Sequence, residues 1–144
     1  MASDTAPWVL LVEDNPDHAA LVMAALADAD AATRVTHVAD GERALALLLG
    51  GPQEAGGETT PALVLLDLRL PKIDGLEVLR QVKDDRRARF IPVVILSTSD
   101  AASDIVQAYT CHANSYIVKP LGFGDMRRVI SQAVLYWSRC NRVP

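Results

Sequence analysis

Apolar residues along this chain gather in two kinds of run that alternate from one end to the other. The first kind is short and almost unbroken: residues 8–12, 62–67 and 92–96 read WVLLV, ALVLLD and PVVIL, with YIV at 116–118 a shorter instance. Such runs predict strands buried on both faces of a parallel sheet. Residues 35–38 (VTHV) are more polar and predict a strand at a sheet edge.

The second kind repeats its apolar positions every three or four residues, which predicts helices. Asn15-Pro16 offers an N-cap followed by proline at the first helical position, opening a helix to about residue 29. His18, Leu21, Val22, Ala25 and Leu26 share a stripe expected to face the sheet. Ala19, Ala20, Met23, Ala24 and Ala27 form a smooth opposite side, suited to docking another helix. Asp40-Gly41-Glu42 opens a second helix, whose Leu45, Leu47, Leu48 and Leu49 run to Gly50-Gly51. A third, at about 76–83, carries Leu76, Val78, Leu79 and Val82. Asp100 is placed to cap a fourth that runs to about Cys111. The fifth spans about 123–137 and aligns Phe123, Met126, Ile130, Ala133, Val134 and Trp137. Val129 and Tyr136 lie about 100° or more from that stripe, a second apolar edge expected to cover an interface. Residues 50–61, rich in Gly, Pro and polar side chains, predict a mobile loop; 84–87 predict a solvated charged loop and 1–6 a disordered start.

Five strands alternating with five helices predict a doubly wound α/β fold with parallel strands and helices on both faces. A chain of 144 residues suits one domain, 1–144, with an ordered core at about 7–138 and short flexible tails. Its 50% hydrophobic content and mean hydropathy of +0.15 suit a globular core. A net charge of -4 argues against a nucleic-acid partner. No apolar run reaches membrane-span length, and the start lacks the regions of a signal peptide. Cys111 and Cys140 lack metal-ligand spacing, which fits a reduced cytoplasmic setting.

The chemistry lies where the strands stop. Pro71 prevents the third strand from continuing, and Asp74-Gly75 turns the chain into the next helix. In parallel sheets of this kind ligands bind outside the carboxyl ends of the strands. There the first strand delivers Glu13 and Asp14, the third Asp67, the fourth Ser97 and the fifth Lys119. Three carboxylates in one crevice stay ionised together if a divalent cation joins them, and hard oxygen donors suit Mg²⁺. Lys119 adds a point charge and Ser97 a hydroxyl, both suited to an incoming phosphoryl group. The set is equipped to phosphorylate the carboxylate of Asp67.

These residues carry a resemblance to the receiver domains of two-component response regulators, the CheY-like family. It rests on Val12-Glu13-Asp14-Asn15, on residues 66–71 with Asp74-Gly75, on 92–97 and on 116–120, and covers roughly 8–137. The resemblance implies a flavodoxin-like (βα)5 fold with strand order 2-1-3-4-5. It implies that Asp67 accepts phosphate from a histidine kinase or phosphotransfer protein. Asp14 and Asp67, with Glu13 through water and the Arg69 carbonyl, would hold Mg²⁺. Lys119 and Ser97 would bind the phosphoryl oxygens, Ser97 and Tyr116 would form the switch, and Lys119-Pro120 would be cis. His112 stands where many receivers have glycine closing the fourth helix, and is expected in the left-handed region. The chain also resembles stand-alone receivers partnered with phytochrome-type kinases. That narrower likeness implies a homodimer through the fourth helix, fifth strand and fifth helix, while kinase docking is expected near the first helix. The expected switch alters that same face. With little sequence after residue 137, output is expected through partner binding, dimerisation or onward phosphotransfer, and catalysis is confined to the chain's own phosphorylation and dephosphorylation. Two rivals fit less well. A haloacid-dehalogenase-type phosphatase wants a second Asp where Arg69 stands, and nucleotide or flavin binding lacks a Gly-rich loop. The remaining alternative is a phosphorylation-independent interaction module of the same fold.

Overall fold

A computed structural model describes residues 6–30, 32–50 and 60–144. Its strands are β1 (Trp8–Val12), β2 (Arg34–Val38), β3 (Leu63–Leu66), β4 (Val93–Ser97) and β5 (Ser115–Val118). All pairings are parallel and the order is β2-β1-β3-β4-β5, the doubly wound arrangement expected. The more polar β2 is an edge strand, as its sequence implies. The helices are α1 (Pro16–Ala29), α2 (Gly41–Leu49), α3 (Gly75–Asp84), α4 (Ala102–Thr110) and α5 (Phe123–Leu135). The loop expected over 50–61 and the disordered start expected at 1–6 fall mostly on 51–59 and 1–5, outside the described residues.

Alternation within the apolar runs divides the core in two. Leu10, Val12, Val64, Leu66, Val93 and Ile95 face one way and pack with α2, α3 and Ala108 of α4. Val9, Leu11, Leu63, Leu65, Val94 and Leu96 face the other way, toward Val22 and Leu26 of α1 and Ile130 and Val134 of α5. Both faces of the central strands are therefore apolar, which is why their sequence shows no polar alternation.

Some expectations need correcting. In α1 the buried side chains are Ala19, Val22, Ala25 and Leu26, while Leu21 is exposed. The helix is rolled so that small Ala19 fits against the sheet and Leu21 joins Ala20, Met23, Ala24 and Ala27 on the outer side. Asp100 does not cap α4: its N-cap is Ala101, and the Ala101 N–H is taken by the Ser99 hydroxyl oxygen at 3.2 Å. Phe123 opens α5 too far out to reach the core and is exposed, and the chain after Leu135 continues as a π turn, Tyr136–Cys140. The Lys119–Pro120 bond is trans, since no described peptide bond is cis; for a proline amide the two isomers differ by only about 0.5–1 kcal/mol. His112 does adopt the left-handed region, with φ 71°. Its N–H bonds the Tyr109 carbonyl, and the Ala113 N–H bonds that of Ala108, closing α4.

Two glycines fix the loop between β3 and α3. A Cβ on Gly75 would stand 2.1 Å from the Asp67 carbonyl oxygen, and one on Gly41 would stand 1.9 Å from that of Ile73. The starts of α2 and α3 thus press directly on the backbone of this loop, and the Gly75 N–H bonds the Leu68 carbonyl at 2.9 Å. A second brace comes from Lys83, whose ammonium donates to the carbonyls of Arg89 and Ile91 and to Asn114 Oδ1. Burial pushes Lys83 down to about 8, and the three acceptors supply what lost solvent does not.

Gly75→Ala forces backbone against backbone and is expected to lose about 3 kcal/mol, the upper end of overpacking costs. Gly124→Ala, early in α5 with open space around it, is expected to gain roughly 0.5 kcal/mol. Urea unfolding midpoints check both; a Gly75→Ala midpoint at the wild-type value would contradict the packing argument.

Candidate functional site

Three of the candidate residues are placed by one further rung of the sheet. The Glu13 N–H bonds the Val38 carbonyl at 3.0 Å, that of Asp67 the Val12 carbonyl at 3.1 Å, and that of Lys119 the Ser97 carbonyl at 2.7 Å. The ladder therefore continues beyond the apolar strand ends and fixes where each polar side chain leaves the backbone. Among the described residues the buried polar and charged ones are Glu13 (1% exposed), Asp67 (9%), Ser97 (2%) and Lys119 (8%). All four belong to this single rim, where burial has a chemical use; Asp14, beside them, is exposed.

Lys119 holds the rim together. Its ammonium lies 2.5 Å from Glu13 Oε1, 3.1 Å from Asp67 Oδ2 and 3.0 Å from His18 Nδ1. Glu13 uses its other oxygen to accept the Asn15 N–H at 3.1 Å. Asn15 in turn caps α1, its Oδ1 accepting from the N–H groups of Asp17 and His18. The first turn of α1 is thereby tied to the carboxylates. His37 on the edge strand bonds the Glu13 carbonyl through Nε2 at 2.8 Å. Burial raises the Glu13 carboxyl above its ordinary value; the Lys119 ammonium and the Asn15 N–H pull it back without cancelling the rise, and the Asp67 charge adds to it.

Glu13, Asp14 and Asp67 each offer a carboxylate oxygen, and these oxygens lie within 4.8 Å of one another. Three hard donors at that spacing suit one divalent cation of the Mg²⁺, Mn²⁺ or Ca²⁺ kind. Arg69, two residues beyond Asp67, donates its backbone N–H to Asp67 Oδ1 at 3.3 Å, and its guanidinium turns out to Asp104 at 3.1 Å.

Ser97 and Tyr116 meet through a residue the sequence did not single out. The Ser99 N–H donates to Ser97 Oγ at 3.1 Å, and the Ser99 carbonyl accepts the Tyr116 hydroxyl at 2.8 Å. Ser99 Oγ also donates to Asp104 Oδ2 at 2.5 Å. Together with the Arg69 guanidinium this holds the Asp104 carboxyl below its usual range, the serine bond being the stronger cause. His18 is the other residue missed: its place on a helical stripe signalled core, not the rim. Val129 and Tyr136 lie apart from the rim. Val129 is half-buried on α5, and Tyr136 is exposed with its ring edge-on to Trp137, centroids 5.0 Å apart. Among the described residues no helix is long and apolar enough to cross a membrane.

Comparison with known proteins places the chain in a family. A family model of the response regulator receiver domain matches residues 9–131. The probable methanogenesis regulatory protein FilR2 of Methanothrix harundinacea is 47% identical over 136 residues, 94% of this chain and 86% of its own length. Response regulator Rcp1 of Synechocystis is 33% identical over 138 residues, 94% of this chain and 92% of its own. Among solved structures, the phosphorylated cyanobacterial phytochrome response regulator RcpA matches with a TM-score of 0.88 at 37% identity, over 96% of this chain and 99% of that one. The Mn²⁺-bound form of Rcp1 matches with a TM-score of 0.83 at 32% identity, over 96% and 99%.

The raised Glu13 carboxyl has a signed consequence. From pH 4.5 up to its raised folded value, the folded chain holds this proton more firmly than the unfolded chain. Stability contributed by Glu13 is thus greatest below that window and falls as pH rises through it. Glu13→Gln is expected to flatten that decline in urea unfolding measured in EDTA; a slope equal to wild type would contradict the assignment.

Proposed function

This chain belongs to the response regulator receiver domain family, and we propose that it serves a phosphorelay in which Asp67 takes a phosphoryl group from a phosphohistidine. The observation that carries the proposal is the Lys119 ammonium 3.1 Å from Asp67 Oδ2, on a rim shared with two further carboxylates. An Asp67 oxygen attacks phosphorus in line, the phosphorus–nitrogen bond of the donor breaks, and its electron pair returns to the imidazole. The product is an acyl phosphate on Asp67. Lys119 donates to one phosphoryl oxygen and the Ser97 hydroxyl to another, meeting charge where it develops. A divalent ion, Mg²⁺ in this reading, supplies positive charge against the phosphoryl oxygens when held by Glu13, Asp14, Asp67 and the Arg69 carbonyl. Loss of phosphate to water reverses the modification, so the chemistry is confined to the chain itself.

The response is a two-state switch. Ser97 Oγ is bonded to the Ser99 N–H and the Tyr116 hydroxyl to the Ser99 carbonyl, so drawing Ser97 toward a phosphoryl group disturbs the support of Tyr116. Tyr116 then turns inward and alters the face of α4, β5 and α5. That face carries exposed apolar side chains, Val106, Tyr109, Val118 and Tyr136 among them, with Val129 half-buried beside it. These support a homodimer through α4, β5 and α5. The outer side of α1, with Ala20, Leu21, Met23, Ala24 and Ala27, begins beside Asp14 and supports docking of a cytoplasmic histidine kinase. Likeness to RcpA supports a kinase of the phytochrome type.

Asp67→Asn is expected to abolish labelling by radioactive acetyl phosphate in the presence of Mg²⁺; label retained at the wild-type level would refute the phosphoacceptor assignment. Tyr136→Asp is expected to weaken self-association in sedimentation equilibrium by tenfold or more, as loss of a roughly 2 kcal/mol interface aromatic would. Monomeric behaviour of the wild type in both phosphorylation states would remove the dimer.

A further inference from the structure

Lys119 has three N–H bonds to give and three acceptors within reach, two of them carboxylates and one the Nδ1 of His18 at 3.0 Å. An ammonium only donates, so Nδ1 must carry a lone pair and the ring proton must sit on Nε2. His18 comes from the first turn of α1, which Asn15 caps through the backbone N–H of His18 itself. Its ring is half-buried, so its placement against the rim is set by the helix and not by solvent.

We propose that His18 is a positioning residue for phosphorylation, and that with Glu13 it anchors two N–H bonds of Lys119 so that the third points at Asp67. This rests on the reading of Asp67 as phosphoacceptor. Tetrahedral geometry does the aiming: with one N–H held by Glu13, just after β1, and another by His18 of α1, the nitrogen is fixed at two points and the third N–H has one direction left. Glu13 alone holds the ammonium at one point, so the flexible Lys119 stem can still swing the other two N–H bonds away from Asp67. The anchor is uncharged, and this matters. A carboxylate in its place would add a fourth negative charge to Glu13, Asp14 and Asp67 and would draw the positive charge of Lys119 away from the phosphoryl oxygens. A neutral nitrogen fixes direction while leaving that charge available.

Two measurements test this. In nitrogen-15 NMR of the full chain without metal or phosphodonor, His18 is expected as the neutral Nε2–H tautomer, with Nδ1 unprotonated; an Nδ1–H tautomer would overturn the proposal. Initial rates of Asp67 labelling by acetyl phosphate with Mg²⁺ are then compared across three variants. His18→Leu is expected to slow labelling about tenfold, as loss of a hydrogen bond to a charged group would. His18→Asn, whose Oδ1 stands where Nδ1 stood, is expected to recover most of the rate, and His18→Gln, whose acceptor is one bond further out, is not. Equal rates for wild type, Leu and Gln would overturn the proposal, and so would an Asn variant as slow as Leu, which would leave the bulk of the ring as the cause. If the wild type takes no label at Asp67, the phosphoacceptor reading fails, and the tautomer measurement still decides whether His18 accepts from Lys119.

Discussion

A single buried ammonium governs the rim of this sheet. Lys119 reaches across from one edge strand to carboxylates that follow β1 and β3, and the side chains of Lys119 and Glu13 are almost wholly removed from solvent. Charges taken out of water that far need partners, and removing one member of such a set is costly because it strands the others. Glu13, Asp14 and Asp67 bring three negative charges and Lys119 one positive, so two remain uncompensated if all are ionised. That residue of charge equals what a divalent cation brings. The same charge imbalance that makes the rim expensive to fold would be relieved by such an ion.

Events at the rim have a short physical route outward. Ser99 sits between two residues of the site, its N–H bonded to the Ser97 hydroxyl oxygen and its carbonyl to the Tyr116 hydroxyl. Its hydroxyl joins Asp104, already paired with Arg69 from the loop after β3. A chain of hydrogen bonds through side chains and the Ser99 backbone thus links Arg69, in the loop after β3, to Tyr116 of β5.

Most of the scaffold was legible because it depends on patterns a linear chain displays. Unbroken apolar runs gave the central strands, the polar run VTHV gave the edge, and the acids, serine and lysine at the ends of β1, β3, β4 and β5 gave the rim. Helix rotation was harder. Leu21 looks like a core residue and Ala19 a surface one, yet the space beneath α1 admits the smaller side chain, a fact about volume that spacing does not carry. The cap of α4 was misassigned for a related reason: Asp100 and Ser99 are both good turn formers, and only the fold brings Ser99 to Asp104. His18 and Lys119, 101 positions apart, meet solely through the topology.

The pinned loop after β3 has a consequence for how relatives with this frame could differ. With the backbone at 67–75 wedged between two helix starts at Gly41 and Gly75, the carbonyl skeleton beside Asp67 leaves little slack to drift. Substitution beside Asp67 is then cheapest in side chains that leave this backbone toward solvent, such as Arg69, whose guanidinium is turned out to Asp104.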